Sequence, residues 1–496
     1  MNTIPFKYTY AKLPEHFFKK VSATSFPEIK LLKWNDLLSS ELNINRKQFT
    51  DSEIADIFSG KLISTDGLPV AQAYSGHQFA QFNPNMGDGR AFLLGELIDT
   101  QGNLRDIHLK GSGQTPFSRR GDGRANLSAV IREYIVSEAM THLGIPSSRT
   151  LAIIGTGEKV QRATLQPGAI LVRVASSHVR VGTFEHFASR NDLAAVKTLA
   201  DFVIDRHFPE TEKTADGYIE LFRKIVDRQV SLISKWMSVG FIHGVMNTDN
   251  TFISGETLDY GPCAFMEDYD PNAVFSSIDQ NARYAFMKQP EIVQWNLSSL
   301  GQCFLMFIGK EFGGDLEKLQ NTLLEVINGF SKNFYEVHLK NVAKKFGITD
   351  PKADDFPIVQ GFLKIMLAEH FDYTNGFRQL IPFADVNYVA PITADYSLFA
   401  LDEMKAWIQT WRERLKIQGQ PAAVVQSLMN SVNPAYIARN HRVKEAIRFA
   451  VDENDFSKFE KLNEVLKSPF VERPEWIEYT EPATPEETVT ETFCNT

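Results

Sequence analysis

The stretch from His243 to Gly261, His-Gly-Val-Met-Asn-Thr-Asp-Asn-Thr-Phe-Ile-Ser-Gly-Glu-Thr-Leu-Asp-Tyr-Gly, constrains this chain more than any other. It gathers Asp249, Asn250 and Asp259, oxygen ligands suited to a hard divalent cation, into one turn-rich segment. Just before it, Phe222, Ile225, Val226, Val230, Ile233, Trp236 and Met237 recur at helical spacing, and Gly240 stands where such a helix stops. Any fold for this chain therefore runs an amphipathic helix straight into a polar loop.

A second polar set lies upstream. Asn85-Met-Gly87-Asp88-Gly89-Arg90 precedes a strand-like run, Ala91–Leu94, and such a turn can aim backbone N–H groups at an anion while Arg90 adds a charged fork. Arg105–Lys110 alternates like a strand and ends in Lys110. The segment Gly111–Arg124, which carries Asp122 and Gly123, is the densest Gly/Arg stretch of the chain. No Lys-Ser/Thr follows its glycines, so it is not a Walker A loop. Glycine for close backbone approach and arginine for phosphate oxygens fit a second nucleotide-contacting loop. Asn126 caps the following helix and Gly144 ends it. Glu133 lies on that helix, 23 residues after Lys110, and a Lys110–Glu133 ion pair is expected. Ala169–Phe184 reads as a strand carrying Arg173 and Arg180. Their odd spacing puts them on opposite faces unless the Ser176-Ser177-His178 bend realigns them.

Glycine loop, strand lysine, helix glutamate, then a His-Gly loop followed by Asn and Asp-x-Gly is the order of parts in kinase-like phosphotransferases. The expected fold is α+β: a protein-kinase-like two-lobe fold with a β-containing N-lobe and a mainly helical C-lobe. Residues 1–182 would form an N-terminal extension and the N-lobe, 183–471 the helical C-lobe with the catalytic loop, and 472–496 a flexible acidic tail rich in Pro, Glu and Thr. Up to about residue 70 only short helices are expected, for example Ile29–Leu42. Further helices are expected over Gln289–Ile308, Leu316–Phe346, Phe356–Phe371, Leu398–Leu415 and Asn440–Asp452. One part departs from kinase order. His243 and Asn250 keep the interval of the His-Gly-Asp-x-x-x-x-Asn loop, but Val245 occupies the position of its Asp. Valine cannot accept a proton, and Asp249 is the one nearby carboxylate that could.

Bulk properties narrow the function classes. The 496 residues carry 52 Lys and Arg against 61 Asp and Glu, a formal charge of −9, which disfavours a nucleic-acid-binding surface spread over the protein. No apolar run approaches the roughly 18 residues needed to span a bilayer. Met1–Lys7 has neither a signal peptide's apolar region nor a transit peptide's Arg/Ser richness, so a soluble, cytoplasmic protein is expected, and a monomeric one without nucleic-acid or membrane partners. Cys263, Cys303 and Cys494 form neither metal-type spacing nor a disulfide framework. Cys303, in an apolar run, is expected to be buried, and Cys494, near the end of the tail, exposed.

Gly-His-Gln-Phe, Gly-Asp-Gly-Arg90, Leu-Lys110-Gly-Ser-Gly-x-Thr-Pro-Phe-Ser-Arg-x-Gly-Asp122-Gly-Arg, Arg173-Val-Ala-Ser-Ser-His-x-Arg180-x-Gly-Thr-Phe and Asn247-Thr-Asp249-Asn250 with Asp259-Tyr-Gly-Pro resemble the selenoprotein O family. The resemblance runs from about Tyr74 to His441. It implies a kinase-fold protein adenylyltransferase that moves AMP from ATP to Ser, Thr or Tyr hydroxyls of other proteins, with the nucleotide reversed relative to a kinase. It also implies UMP transfer with manganese. On this resemblance Asp249 is the proton acceptor, and Asn250 and Asp259 hold Mg²⁺ or Mn²⁺. Gly87, Gly89, Arg90, Lys110, Asp122, Gly123, Arg173, Arg180 and Asp259 contact ATP. Cys494 matches the family's terminal selenocysteine or cysteine, whereas the partner cysteine expected near Phe275 is absent.

Reversal has a physical reason. Bringing the α-phosphorus to the metal sends the β- and γ-phosphates deep into the N-lobe, where an apolar adenine slot could not hold their charge. Arg90, Lys110, Arg173 and Arg180 offer up to four positive charges there. Two other readings remain open on the residues: a phosphotransferase with Asp249 as a displaced base, and a catalytically silent ATP-binding regulator.

Overall fold

The structure, a computed structural model, describes residues 3–22, 24–62, 67–391 and 397–493. Its N-terminal region is built on a seven-stranded antiparallel sheet in the order β1-β3-β6-β7-β9-β8-β2. The strands are β1 (Phe18–Lys20), β2 (Lys30–Trp34), β3 (Val70–Gln72), β6 (Ala91–Ile98), β7 (Leu104–Lys110), β8 (Arg149–Gln161) and β9 (Leu165–Ala175). Between β3 and β6 a separate hairpin pairs β4 (Gly76–Gln78) with β5 (Gln81–Asn83). Period-two alternation sorts the sheet into two apolar faces. Phe92, Leu94, Ile107, Leu109, Val172 and Val174 pack with Leu38, Leu42, Ile54 and Phe58 of helices α1 (Asp36–Glu41) and α2 (Asp51–Phe58). Leu93, Ile153 and Leu171 point the other way, into a larger core shared with α3 (Leu127–His142) and the helices that follow.

The first seventy residues are more than an extension of short helices. Ile29–Leu42, expected as one helix, divides into β2 and α1. Lys30 to Trp34 pair with β8, and Asn35 then caps α1 by accepting from Leu38 N at 3.1 Å. β1 and β2 form the two edges of the sheet, so the N-terminal segment completes it. α3 begins and ends as expected, with Asn126 Oδ1 accepting from Ala129 N.

Beyond β9 the chain becomes helical. Val181–Phe184, expected to continue the strand, opens α4 (Val181–Ala188) instead, because Thr183 Oγ1 takes the Arg180 N–H and turns the backbone into a helix. Then come α5 (Leu193–His207), α6 (Ala215–Ser238), a two-residue ladder of β10 (Phe241–Ile242) with β11 (Ala264–Phe265), and α7 (Gln289–Phe312). Leu316–Phe346 is two helices, α8 (Leu316–Asn328) and α9 (Phe330–Lys345), interrupted at Gly329, a poor helix former. α10 (Phe356–Ala368), α11 (Tyr373–Leu380), α12 (Ser397–Ala400), α13 (Asp402–Gln418), α14 (Ala422–Val432), α15 (Asn440–Asp452) and α16 (Ser457–Leu466) complete the region. Trp407 and Trp411 stack at 5.8 Å in its core, and buried Arg439 pairs with Asp372, which also caps α11. Among the described residues no helix is long and apolar enough to cross a membrane.

The segment after Glu472, whose composition predicts a loose tail, is tied down as far as Thr492. Trp476 and Tyr479 are buried, and Thr492 bonds to the Phe275 and Pro262 carbonyls. Cys303 is buried as expected, and Cys263 is fully buried. Cys494 lies outside the described residues.

Candidate functional site

The site begins with strand alternation. Sending Ile107, Leu109, Val172 and Val174 toward α1 and α2 leaves His108 and Lys110 of β7, and Arg173 of β9, on the opposite face, with His108 and Arg173 in register. α3 lies across that face and brings Glu133 to them. Lys110 Nζ donates to Glu133 Oε2 at 2.6 Å, the pair read from the sequence, and Arg173 Nε donates to Oε1 at 2.8 Å. Lys110 also reaches Asp259 Oδ1 at 2.8 Å, so one ammonium joins α3 to the loop after α6. Burial alone would raise the Glu133 carboxyl, but Arg173 and Lys110 outweigh it and hold it below the usual carboxylate range.

Glu133→Gln leaves two buried cations short of a partner. The unliganded protein is expected to lose about 3–5 kcal/mol of stability at pH 7. A depressed carboxylate contributes its stability above its unfolded value of 4.5. The difference should therefore shrink as pH falls below that value, as denaturant titrations at pH 7 and pH 3 can measure.

α6 delivers the second wall. It ends at Ser238, Gly240 turns the chain, and β10 leads into His243. The imidazole of His243 accepts from Val245 N at 3.3 Å through Nδ1, donates to Leu258 O at 2.7 Å through Nε2, and stacks on Trp236. Burial lowers its pKa, so a neutral ring braces both ends of the loop. Val245 is buried and contributes no acid–base group.

The three oxygen-bearing side chains differ in state. Asp259 has φ +66, a left-handed conformation uncommon outside glycine. Burial would raise its carboxyl, yet Lys110, Arg173 and Arg90 hold it far below the usual range, and it is ionised. Asn250 commits its amide nitrogen to Val245 O at 3.1 Å, which leaves the amide oxygen available. Asp249 is 7% exposed, and burial, opposed by Arg180, pushes its carboxyl up to about 7. Its Oδ1 is buried with no hydrogen-bond partner. The ionised Asp259 carboxylate and the uncommitted Asn250 amide oxygen are hard donors that fit a divalent cation, with the Asp249 carboxyl beside them. Among the described residues no cluster of three His, Cys, Asp or Glu side chains forms a self-sufficient metal cage. A cation here would take the rest of its shell from water and phosphate, as Mg²⁺ commonly does.

Arg180, at the start of α4, donates to the Asp249 carbonyl at 3.0 Å, lies over the Tyr74 ring at 4.2 Å and approaches Asp88 at 3.8 Å. After β9 the Ser-Ser-His bend does bring Arg173 and Arg180 to one cavity. The Gly111–Arg124 loop closes the far side. Gly123 is left-handed, and a Cβ there would come within 2.2 Å of the Gly113 backbone, so only glycine lets the two arms meet. Asp122 is clasped by both terminal nitrogens of Arg162, at 2.8 and 3.0 Å.

Gly87, Gly89, Arg90, Lys110, Asp122, Gly123, Arg173, Arg180, Asp249, Asn250 and Asp259 all line a single cavity of about 520 Å³. Tyr74, Gln78, Asp88, His108, Asn247 and Arg162 line it too, without having been singled out from the sequence. Asp88 sits inside the Gly-Asp-Gly turn and Gln78 inside Gly-His-Gln-Phe, so both were within reach of motif reading. Arg162 stands in the β8–β9 turn with no local signal and is recruited only by folding.

A cavity lined by guanidinium and ammonium groups, with Asp249, Asn250 and Asp259 among them, has the chemistry to bind an anionic ligand together with a cation. The chain belongs to the protein adenylyltransferase SelO family, whose model matches residues 1–467, and is thus a nucleotidyltransferase. It is 47% identical over 495 residues to the protein nucleotidyltransferase YdiU of Bradyrhizobium sp. (strain ORS 278), covering 99% of both chains. It is 48% identical over 496 residues to that of Rhodopseudomonas palustris (strain BisB5), again covering 99% of each. With the Rhizobium johnstonii protein of the same name, identity is 47% over 492 residues, 99% of this chain and 97% of the other.

Proposed function

We propose that the protein transfers AMP from ATP to Ser, Thr or Tyr hydroxyls of other proteins and releases pyrophosphate. The observation that carries this reading is that Arg90, Lys110, Arg173 and Arg180 line the same cavity as Asp249, Asn250 and Asp259, with Lys110 on Asp259 and Arg180 on the Asp249 carbonyl. A triphosphate drawn inward by Arg90, Lys110, Arg173 and Arg180 leaves its α-phosphorus nearest the aspartates. The acceptor oxygen then attacks that phosphorus, the bond to the bridging oxygen breaks, and pyrophosphate leaves with the electron pair. Asp249, rather than a residue at position 245, takes the hydroxyl proton. Asn250 and Asp259 would hold Mg²⁺ or Mn²⁺, which would neutralise charge on the α-phosphate and the leaving pyrophosphate.

The Lys110–Glu133 pair and the Lys110–Asp259 contact support a kinase-like arrangement of an N-lobe over residues 1–182 and a C-lobe over 183–471. Because recognition in this reading rests on the triphosphate and not on the base, UTP with Mn²⁺ is a second donor. The test is mass spectrometry of a protein mixture incubated with the enzyme, ATP and Mg²⁺. Adducts of AMP on hydroxyl side chains are expected, and their absence under conditions where ATP binds contradicts the assignment.

The state of Asp249 gives an independent check without substrate. Its carboxyl is raised from 3.8 to about 7, so burying the charge costs stability that appears as pH rises through that interval. At about 1.4 kcal/mol per pK unit, the neutral variant Asp249→Asn should be more stable than the parent at pH 8 by up to about 4 kcal/mol. The gap should vanish near pH 4. Thermal melts of the metal-free protein at the two pH values measure it.

A further inference from the structure

The hairpin of β4 and β5 belongs neither to the sheet nor to the cation cluster, yet it is fastened to the catalytic loop residue by residue. His77 N donates to Thr248 Oγ1 at 2.7 Å, Gln78 Nε2 donates to Asp249 Oδ2 at 3.5 Å, and Phe79 N donates to Asn247 Oδ1 at 3.2 Å. Gly76 is pressed so close that a Cβ there would lie 3.0 Å from Asp249 Cβ. Glu185 of α4 locks the base of this arrangement. It accepts from Thr248 Oγ1 at 2.5 Å and meets His77 Nδ1 at 2.6 Å.

The tip is held against its preference. Phe79 and Ala80 have φ +50 and +63, the geometry of a two-residue turn that normally selects Asn and Gly. Phe79 stays there because Tyr284 holds it. Its hydroxyl accepts from Phe79 N at 3.2 Å and donates to Asn247 Oδ1 at 2.6 Å, and its ring packs on Phe79 at 5.1 Å. Strain kept in place by bonds to a catalytic loop is a mark of a functional element.

We propose that this hairpin forms the acceptor-side wall of the site, and that Gln78 is a positioning residue for the hydroxyl-bearing side chain of the protein substrate. Resting on the assignment of Asp249 as base, it adds a residue to that chemistry. Oδ1 is enclosed beside Gly76, so the carboxylate is oriented toward an incoming hydroxyl through Oδ2, which Gln78 Nε2 approaches at 3.5 Å. The four cations offered to the phosphates lie outside the hairpin, in the turn before β6, on β7 and β9, and at the start of α4.

The variant to make is Gln78→Leu, similar in size and without a donor. With the full-length enzyme, Mg²⁺ and a protein acceptor, kcat for transfer is expected to fall at least tenfold. The KM for ATP and the affinity for a fluorescent ATP analogue should stay within about twofold. Gln78→His, which keeps an N–H donor, should recover most of the rate. Equal rates for Gln78→Leu and the parent overturn the proposal, and so does a matching loss of nucleotide affinity, which would make the side chain a support of the fold. A parent enzyme that labels its acceptor from the γ-phosphate overturns the adenylyl assignment instead. The comparison of Gln78 variants then reads on that transfer and decides the hairpin's role separately.

Discussion

Asp249→Asn is expected to lower transfer to acceptor proteins by roughly 10²–10⁴ while ATP affinity stays within about twofold. The substitution keeps the shape of the side chain and removes its negative charge and its ability to take a proton. The other carboxylates that line the cavity are engaged: Asp259 by Lys110, which holds it ionised far below neutrality, Asp88 by His108 and the Gln72 N–H, and Asp122 by Arg162, while position 245 is an apolar valine. Separate measurements of kcat and of nucleotide binding check the expectation. A loss of binding equal to the loss of rate would place Asp249 among the groups that hold the nucleotide. An unchanged rate would remove it from the chemistry.

The second large effect is on nucleotide binding. With the β- and γ-phosphates among Arg90, Lys110, Arg173 and Arg180, affinity should depend on the phosphate tail more than on the base. Charge-assisted hydrogen bonds contribute roughly 1.5–3 kcal/mol each, and 1.4 kcal/mol is a factor of ten. ATP should therefore bind at least about 100-fold tighter than AMP, with UTP and GTP within about tenfold of ATP. Arg173→Gln should cut ATP affinity by roughly ten- to a hundredfold and leave AMP affinity nearly unchanged. Calorimetric titration of the three triphosphates and AMP measures both. Strong base selectivity with little dependence on phosphate number would mean that the purine, and not the tail, lies deep.

Much of this site is legible in the sequence because local rules fix it. The alternation of Arg105–Lys110 sets the side of the strand that Lys110 occupies, Asn126 starts the helix that carries Glu133, and apolar spacing aims α6 at His243. Those three elements alone bring Lys110, Glu133 and Asp259 into contact. Residues whose role depends on distant partners are not legible in the same way. Lys30 to Trp34 look helical until β8 offers them an edge, and Arg162 acquires its place only through Asp122. Gln78 was visible as part of a motif, but its contact with Asp249, 171 residues away, is a product of the fold. The helix break at Gly329 and the docking of Trp476 likewise answer to packing that no local pattern encodes.

The most direct test of the reversed nucleotide is the fate of the label when parallel reactions contain ATP marked at the α- or the γ-phosphorus, with Mg²⁺ and an acceptor protein. Label from the α-phosphorus should become fixed to the acceptor and label from the γ-phosphorus should leave as pyrophosphate. Retention of the γ-label on the acceptor, with the α-label in free ADP, would mean that the triphosphate enters tail outward and that Asp249 serves a phosphotransferase.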